Sequence, residues 1–455
     1  MTNPTLKNAG YTLLAACGLM ISAPALALPG SFPVGTTYYN PEKAWNGYVL
    51  FPGGDRQTHL IDMNGNEVHR WRYESFPPWP IVDNASQGRV LVQLERRQSP
   101  DKLANPGNGM LNASVGEVDW EGKVVWRYGS QLAPLHQHHD MRRLPNGNTL
   151  LMTAKLRRIP GFSYRVIDNG VEEITPDGRT IWRWSAADSI NQLGFSKQQI
   201  AAIKKTRDPD FLHFNTAAPL GENHWYDEGD SRFAPDNILV NSRNGNVAAI
   251  IDKQTRRVVW RIGPVLPPLK MGSPLPRMLD QTIGAHDVYM IGKGLPGAGN
   301  ILIFDNQGNA GFPPSQQGFF SASRVIEVNP QSRQIVWEYT AEQSGLPVWS
   351  FYSAFISNAQ RLPNGNTLIN EGQSGRLFQV TPKGEIVWEY ISPFFGRSMD
   401  QDNYVTNQVY RALMVDYGWA PAGTPRSETP VQADCAKYPA APGCIDKLLK
   451  ETTSR

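Results

Sequence analysis

Apolar residues fall along this chain in short alternating runs, and the runs recur. One pattern, an apolar residue, a polar turn and then an apolar stretch ending in an aromatic, a charge and a further apolar side chain, occurs six times. It reads IDMNGNEVHRW at 61–71, VDWEGKVVWRY at 118–128, ITPDGRTIWRW at 174–184, IDKQTRRVVWRI at 251–262, VNPQSRQIVWEY at 328–339 and VTPKGEIVWEY at 380–390. Each copy predicts a β-hairpin closed by a turn. The slot before the final charge holds His69, Trp126, Trp182, Trp260, Trp337 and Trp388. A second motif precedes each copy: NGYVLF at 46–51, GRVLVQ at 88–93, NGNTLLM at 146–152, DNILVNS at 236–242, GNILIFD at 299–305 and NGNTLIN at 364–370. These leucine-rich and β-branched runs predict strands.

Copies three to six carry one more apolar strand upstream, so a full unit has four strands, and six such units predict an all-β, six-bladed propeller. Copies are long for a bare blade, so loops must carry insertions. In 185–210, Ser196 and Gln199 form a capping-box start to a short helix through Lys205, which either covers one end of the channel or decorates the surface. The first copy lacks an innermost strand and the chain offers a spare one late, NQVYRALMV at 407–415. We expect that segment to complete the first blade and close the ring, leaving no open sheet edge.

Composition agrees with many turns and short elements: 41 Gly, 36 Pro and 40% apolar residues. Residues 1–27 have the form of a secretory signal, with Lys7, an apolar run from about Ala9 to Ile21 and an Ala25-Leu26-Ala27 cleavage site. Lipidation at Cys17 is the alternative. The expected organisation is therefore a signal peptide at 1–27, a propeller at 28–420 and a tail at 421–455, in a periplasmic or secreted protein with no membrane span. Cleavage leaves Cys435 and Cys444, which in an oxidising compartment predict a disulfide that staples the tail. The 44 basic and 41 acidic side chains are nearly balanced and form no basic block, which argues against nucleic acid as a partner. A homo-oligomer is left open, and no cofactor is expected.

Position in the repeat sorts the eight histidines. His59, His69 and His224 fall in outer strands or an insertion and read as structural or solvated. His139, His213 and His286 each open the innermost strand of their copy, in HHDMRRL, LHFNTAAPL and AHDVYMIG, one repeat apart. Innermost strands line a propeller's axis, so these three should meet at the channel mouth. The same slot holds Ser357-Asn358 in the sixth copy and Tyr410-Arg411 in the first. Arg243, Arg324 and Arg376 open the third strands of their blades, and Asn215 lies beside His213. Histidines, arginines and an amide suit an oxyanion with several acceptor oxygens.

HFNTA, the His-Asp strand, NILIFDN, SRVIEVNP, IVWEY and VYRALMV together resemble the bacterial arylsulfotransferase family over roughly residues 40–420. That resemblance implies a six-bladed propeller that moves a sulfuryl group between phenols through a sulfated histidine, without a nucleotide donor. It maps His213, His286 and Arg324 onto binding and catalytic positions; from their places in the repeat, His139, Asn215, Arg243, Asn358, Arg376 and Tyr410 are substrate-binding candidates. One departure stands out: the family's nucleophilic histidine falls late in the chain, and no histidine follows His286. His286 is therefore the candidate nucleophile or its replacement, His213 the acid/base, and Arg324 with His139 the sulfate ligands. Trp225, Tyr226, Trp349 and Tyr352 are candidates for stacking a phenol. Two other readings stay open: a metal enzyme with three imidazole ligands, Asp140 or Asp287 orienting them, and a non-catalytic ligand-binding propeller. A quinone-cofactor propeller fits less well.

Overall fold

The computed structural model describes residues 33–82, 87–97, 111–315, 321–397 and 405–445. The expected signal segment at 1–27, with Cys17, lies outside them. Among the described residues no helix is long and apolar enough to cross a membrane.

The fold is all-β and propeller-like, with two α-helices among the described residues, Lys197–Thr206 and His224–Asp227. Every repeat forms the expected antiparallel hairpin. In the fourth copy Ile250 faces Trp260 across Val247–Ile251 and Val258–Ile262, and the order continues inward through Ile238–Ser242 to Phe214–Pro219. The fifth copy runs inward from Gln334–Tyr339 to Asp287–Met290, with Arg277–Met278 added outside. The sixth runs inward from Ile386–Ile391 to Asn358–Arg361. Its outer edge is covered by Gly35–Tyr39, a strand that the repeat pattern did not announce.

In the first copy, Leu413–Val415 pairs with Tyr48–Pro52, so the late segment supplies the missing strand as its sequence suggested. Six separate four-stranded sheets are not what the hydrogen bonding gives. Four sheets are discrete and blade-like, but the second and third copies share one eight-stranded sheet. The weld is local: Asn112 of Asn112–Val118 pairs with Gln137 of Gln137–Arg143, and their side chains bond at 2.7 Å.

Packing between copies explains why the aromatic slot recurs. Each slot tryptophan donates its indole N–H to a backbone carbonyl in the turn of the next copy: Trp126 to Pro176, Trp182 to Lys253, Trp260 to Pro330 and Trp337 to Pro382, at 2.7–2.9 Å. Trp388 of the sixth copy donates to Met63 of the first at 2.8 Å. His69, which holds the slot in the first copy, stacks on Trp120 at 3.8 Å, while neighbouring Trp71 donates to Asp119. Buried apolar layers lie between successive copies, and one packs Val49, Phe51 and Ile61 of the first against Leu368, Leu377 and Trp388 of the sixth.

At the centre lies Arg411, 1% exposed. Its Nη2 donates to the carbonyls of Asn215 and His286, both at 2.8 Å, and to Thr216 Oγ1 at 2.9 Å. Asp140 and Asp287 lie 3.3 and 3.7 Å from the guanidinium. One side chain of the C-terminal segment thus joins the third, fourth and fifth copies. Cys435 and Cys444 form the expected disulfide in the tail.

The two ties differ in consequence. Arg411→Ala leaves the buried Asp140 and Asp287 with only Arg142 of the two cations beside them, and we expect a loss of about 3–5 kcal/mol. Cys435→Ser opens only a short loop in the tail and leaves the core transition cooperative. Urea unfolding of both variants checks this. Equal losses, or a larger one for Cys435→Ser, would contradict the placement of the central constraint.

Candidate active site

The innermost strands deliver their leading residues to a common cavity of about 460 Å³. His139, His213, His286, Arg243 and Tyr410 line it, together with Arg56, Phe76, Asp208, Asp210, Phe355 and Arg397 among others. The three histidines forecast from the repeat are therefore brought together, with His139 and His213 in edge contact at 4.9 Å between ring centres. Local backbone contributes: His139, His213 and Ser357 take positive φ of 50°, 45° and 85°, a region that residues with a Cβ rarely occupy. The strain is held in place by the chain around it, as in the bonds from Arg243 N to His213 O and from Ser357 N to Tyr410 O, both 3.0 Å.

Hydrogen bonds fix what each imidazole can do. His286 Nδ1 lies 3.0 Å from both the Gly284 carbonyl and Asn306 Oδ1. Asn306 is oriented by its own amide, which donates to the carbonyls of Ser353 and Ile356, so its oxygen faces His286. Both partners only accept, so Nδ1 carries the hydrogen and Nε2 keeps its lone pair. Burial holds the His286 imidazole well below its ordinary pKa, and the charges of Arg243 and His213 push the same way. It is a neutral base with a free nitrogen.

His213 is the least buried of the three, its side chain 18% exposed, and its Nδ1 lies 2.6 Å from Asp210 Oδ2. Burial would raise the Asp210 carboxyl, but His213, by charge and hydrogen bond, holds it below the usual range. Burial also pushes the nearby Asp208 carboxyl up. His139 shares a hydrogen with His138, Nδ1 to Nδ1 at 2.6 Å. Burial lowers both: His138 to about 4, and His139 well below its ordinary value with help from His138, His213, His286 and Arg411.

Other residues singled out from sequence lie elsewhere. Arg324 is fully buried in an ion cluster with Asp280, Asp305 and Glu338 at 2.7, 2.9 and 3.0 Å, so its donors are taken up inside the fifth copy. Arg376 is clamped likewise between Glu371 and Glu389. Asn215 and Asn358 tie innermost strands together, the first through the Ala285 carbonyl and the second through both backbone groups of Ala412. None of these four lines the cavity. Trp225, Tyr226, Trp349 and Tyr352 are also absent from its wall; the aromatic surface comes from Phe76, Phe355 and Tyr410.

Sequence reasoning missed Asp210 and Asp208, which the 185–210 insertion delivers to the rim behind its capped helix. An acid three residues before a slot histidine was the available signal for Asp210. Among the described residues no group of three or more His, Cys, Asp or Glu is arranged to hold a metal ion. The His139, His213 and His286 Nδ1 atoms are instead committed to protein partners.

No curated protein matches the chain. Solved structures give only faint likeness. A protein of unknown function from Bacteroides caccae is 11% identical, covering 81% of this chain and 98% of that one at a TM-score of 0.43. A streptogramin B lyase is 13% identical, with coverage of 82% and 88% at 0.38. Nothing about the site is drawn from scores this low. The family model described as Arylsulfotransferase (ASST), by contrast, matches residues 54–411. That span contains all six aromatic-slot hairpins in full together with all three cavity histidines, and the chain belongs to the arylsulfotransferase family.

Proposed function

We propose that this protein moves a sulfuryl group from an aryl sulfate ester to a phenolic acceptor, without a nucleotide donor, using His286 as nucleophile. Sulfuryl transfer from aryl sulfates is the family's activity; the assignment of steps is read from this cavity. The observation that carries it is the free Nε2 of a buried, neutral His286 beside the His213–Asp210 pair. His286 Nε2 attacks sulfur, the S–O bond to the aryl group breaks, and its electron pair leaves on the phenolate oxygen. His213, held at Nδ1 by Asp210, gives that oxygen a proton. An acceptor phenol then returns its proton to His213 and attacks sulfur, and the S–N electron pair goes back to His286. Arg243 and His139 face the peripheral oxygens, where the transferred group carries its charge.

The setting proposed is a closed six-bladed ring in which the eight-stranded sheet counts as two blades. The Trp388 bond to Met63 and the apolar layer between sixth and first copies support closure. Export through the 1–27 leader to the periplasm or outside completes the reading. A non-catalytic binder is the second reading, favoured by Ser357 standing in the slot where a late histidine would fall.

Purified mature protein given 4-nitrophenyl sulfate should release 4-nitrophenol only when phenol is added. His286→Ala should lower kcat by about 10³-fold or more, as loss of a nucleophile does. Release without acceptor, or full activity in the variant, would contradict the scheme. If neither protein turns over but both bind donor, the binding reading takes its place.

Buried neutral imidazoles also link stability to pH. His138, His139 and His286 have lowered values in the folded chain, so below the unfolded value near 6.5 the unfolded state binds more protons. Stability is therefore present above about pH 6.5 and lost as pH falls, by about 1.4 kcal/mol per unit for each buried group. Urea midpoints at pH 7.5 and 5.5 test the sign; an equal or higher midpoint at 5.5 would contradict it.

A further inference from the structure

Arg56 and Arg397 line the same cavity as the histidines but are exposed to solvent, which puts them at its mouth. They come from different copies. Arg56 sits in the turn between Tyr48–Pro52 and Thr58–Ile61 of the first, and Arg397 in the short strand Gly396–Arg397 that follows the sixth. Their loops touch through glycine backbone: Gly54 N donates to the Phe394 carbonyl at 3.0 Å, and a Cβ on Gly396 would collide with the Gly54 carbonyl. The acids nearby are already engaged. Asp55, next to Arg56, lies 2.9 Å from His59 Nε2 and accepts from the Gln57 side-chain amide at 3.0 Å. Glu74 is clasped by Arg96 at 2.6 and 2.9 Å, and Asp210 by His213 at 2.6 Å. Asp208 accepts from the Asp210 amide, and burial pushes its carboxyl up. Among the described residues, neither Arg56 nor Arg397 has a side-chain hydrogen bond or an ion pair. Two guanidiniums at the end of an aromatic wall thus offer planar donor forks that no acceptor of the protein takes up, and a carboxylate matches that fork.

We propose that Arg56 and Arg397 form a second anion subsite, which takes a carboxylate carried by the phenol and so selects acidic phenols as sulfuryl acceptors. This rests on the sulfuryl-transfer reading above and names the substrate class of the same site. The phenol oxygen points to the histidines, its ring lies along Phe76 and Phe355, and the carboxylate at the far end meets the arginines. The transfer step is the one given above; the arginines bind, and move no proton. Because both are exposed, their attraction is modest and is screened by salt.

4-Hydroxyphenylacetate and its methyl ester share a ring and a phenol and differ in charge. Given each with 4-nitrophenyl sulfate, the native protein should show a kcat/KM for the acid about tenfold above that for the ester at low salt, chiefly through KM. The preference should shrink in about 0.5 M NaCl. Arg56→Gln and Arg397→Gln should each lower the ratio, and the double variant should bring it to about one, with urea midpoints unchanged because both side chains are exposed. A native ratio near one, or a ratio that survives in the double variant, would overturn the subsite and leave sulfuryl transfer intact. If the native protein transfers to neither phenol, calorimetric binding decides. Tighter binding of the acid that the double variant loses keeps the subsite and removes the transfer reading; equal binding of acid and ester removes both.

Discussion

The structure turns on one buried cation. Arg411 reaches from the C-terminal segment to backbone carbonyls of the fourth and fifth copies and to carboxylates of the third and fifth. A guanidinium without these partners would carry a large desolvation cost at 1% exposure, and Asp140 and Asp287 without it would carry the same in reverse. Each makes the other tolerable only where the innermost strands converge. Asp140 also accepts from the Trp79 indole and the Ala217 amide, so the same carboxylate joins neighbouring copies. The spacing of the inner strands is set by these bonds, and the slot residues sit immediately beside them: His139 before Asp140, His286 before Asp287, Tyr410 before Arg411.

Chemistry follows from that adjacency. The cavity floor inherits the positive field of Arg411 and Arg243, which contributes to keeping His139 and His286 neutral and suits the site to an anion. His213 is less buried and is backed by Asp210. His286, with its Nδ1 held by acceptors, and His213, with a carboxylate behind it, have environments that differ in kind, as the proposed division of parts between them requires.

Much of this was legible in the repeat. Periodicity gave the hairpins, the aromatic slot and the late strand, and a constant place in the unit brought three distant histidines to one cavity. Periodicity could not show which way Arg324 and Arg376 point. Each sits opposite an acid on the neighbouring inner strand, Asp305 and Glu371, and that cross-strand pairing, visible only with the register, draws the guanidinium into the sheet interior. The shared eight-stranded sheet escaped notice because it depends on a single pair, Asn112 with Gln137. Asp210 escaped because insertions carry no period.

The claim at the centre is that imidazoles from three successive copies hold one small anion on the axis, above Arg411. An experimentally determined structure of the protein with inorganic sulfate bound tests it most directly. The account places the sulfate in the cavity, within hydrogen-bonding reach of His139, His213 and His286. Sulfate bound elsewhere, with those three rings turned away from one another, would contradict it.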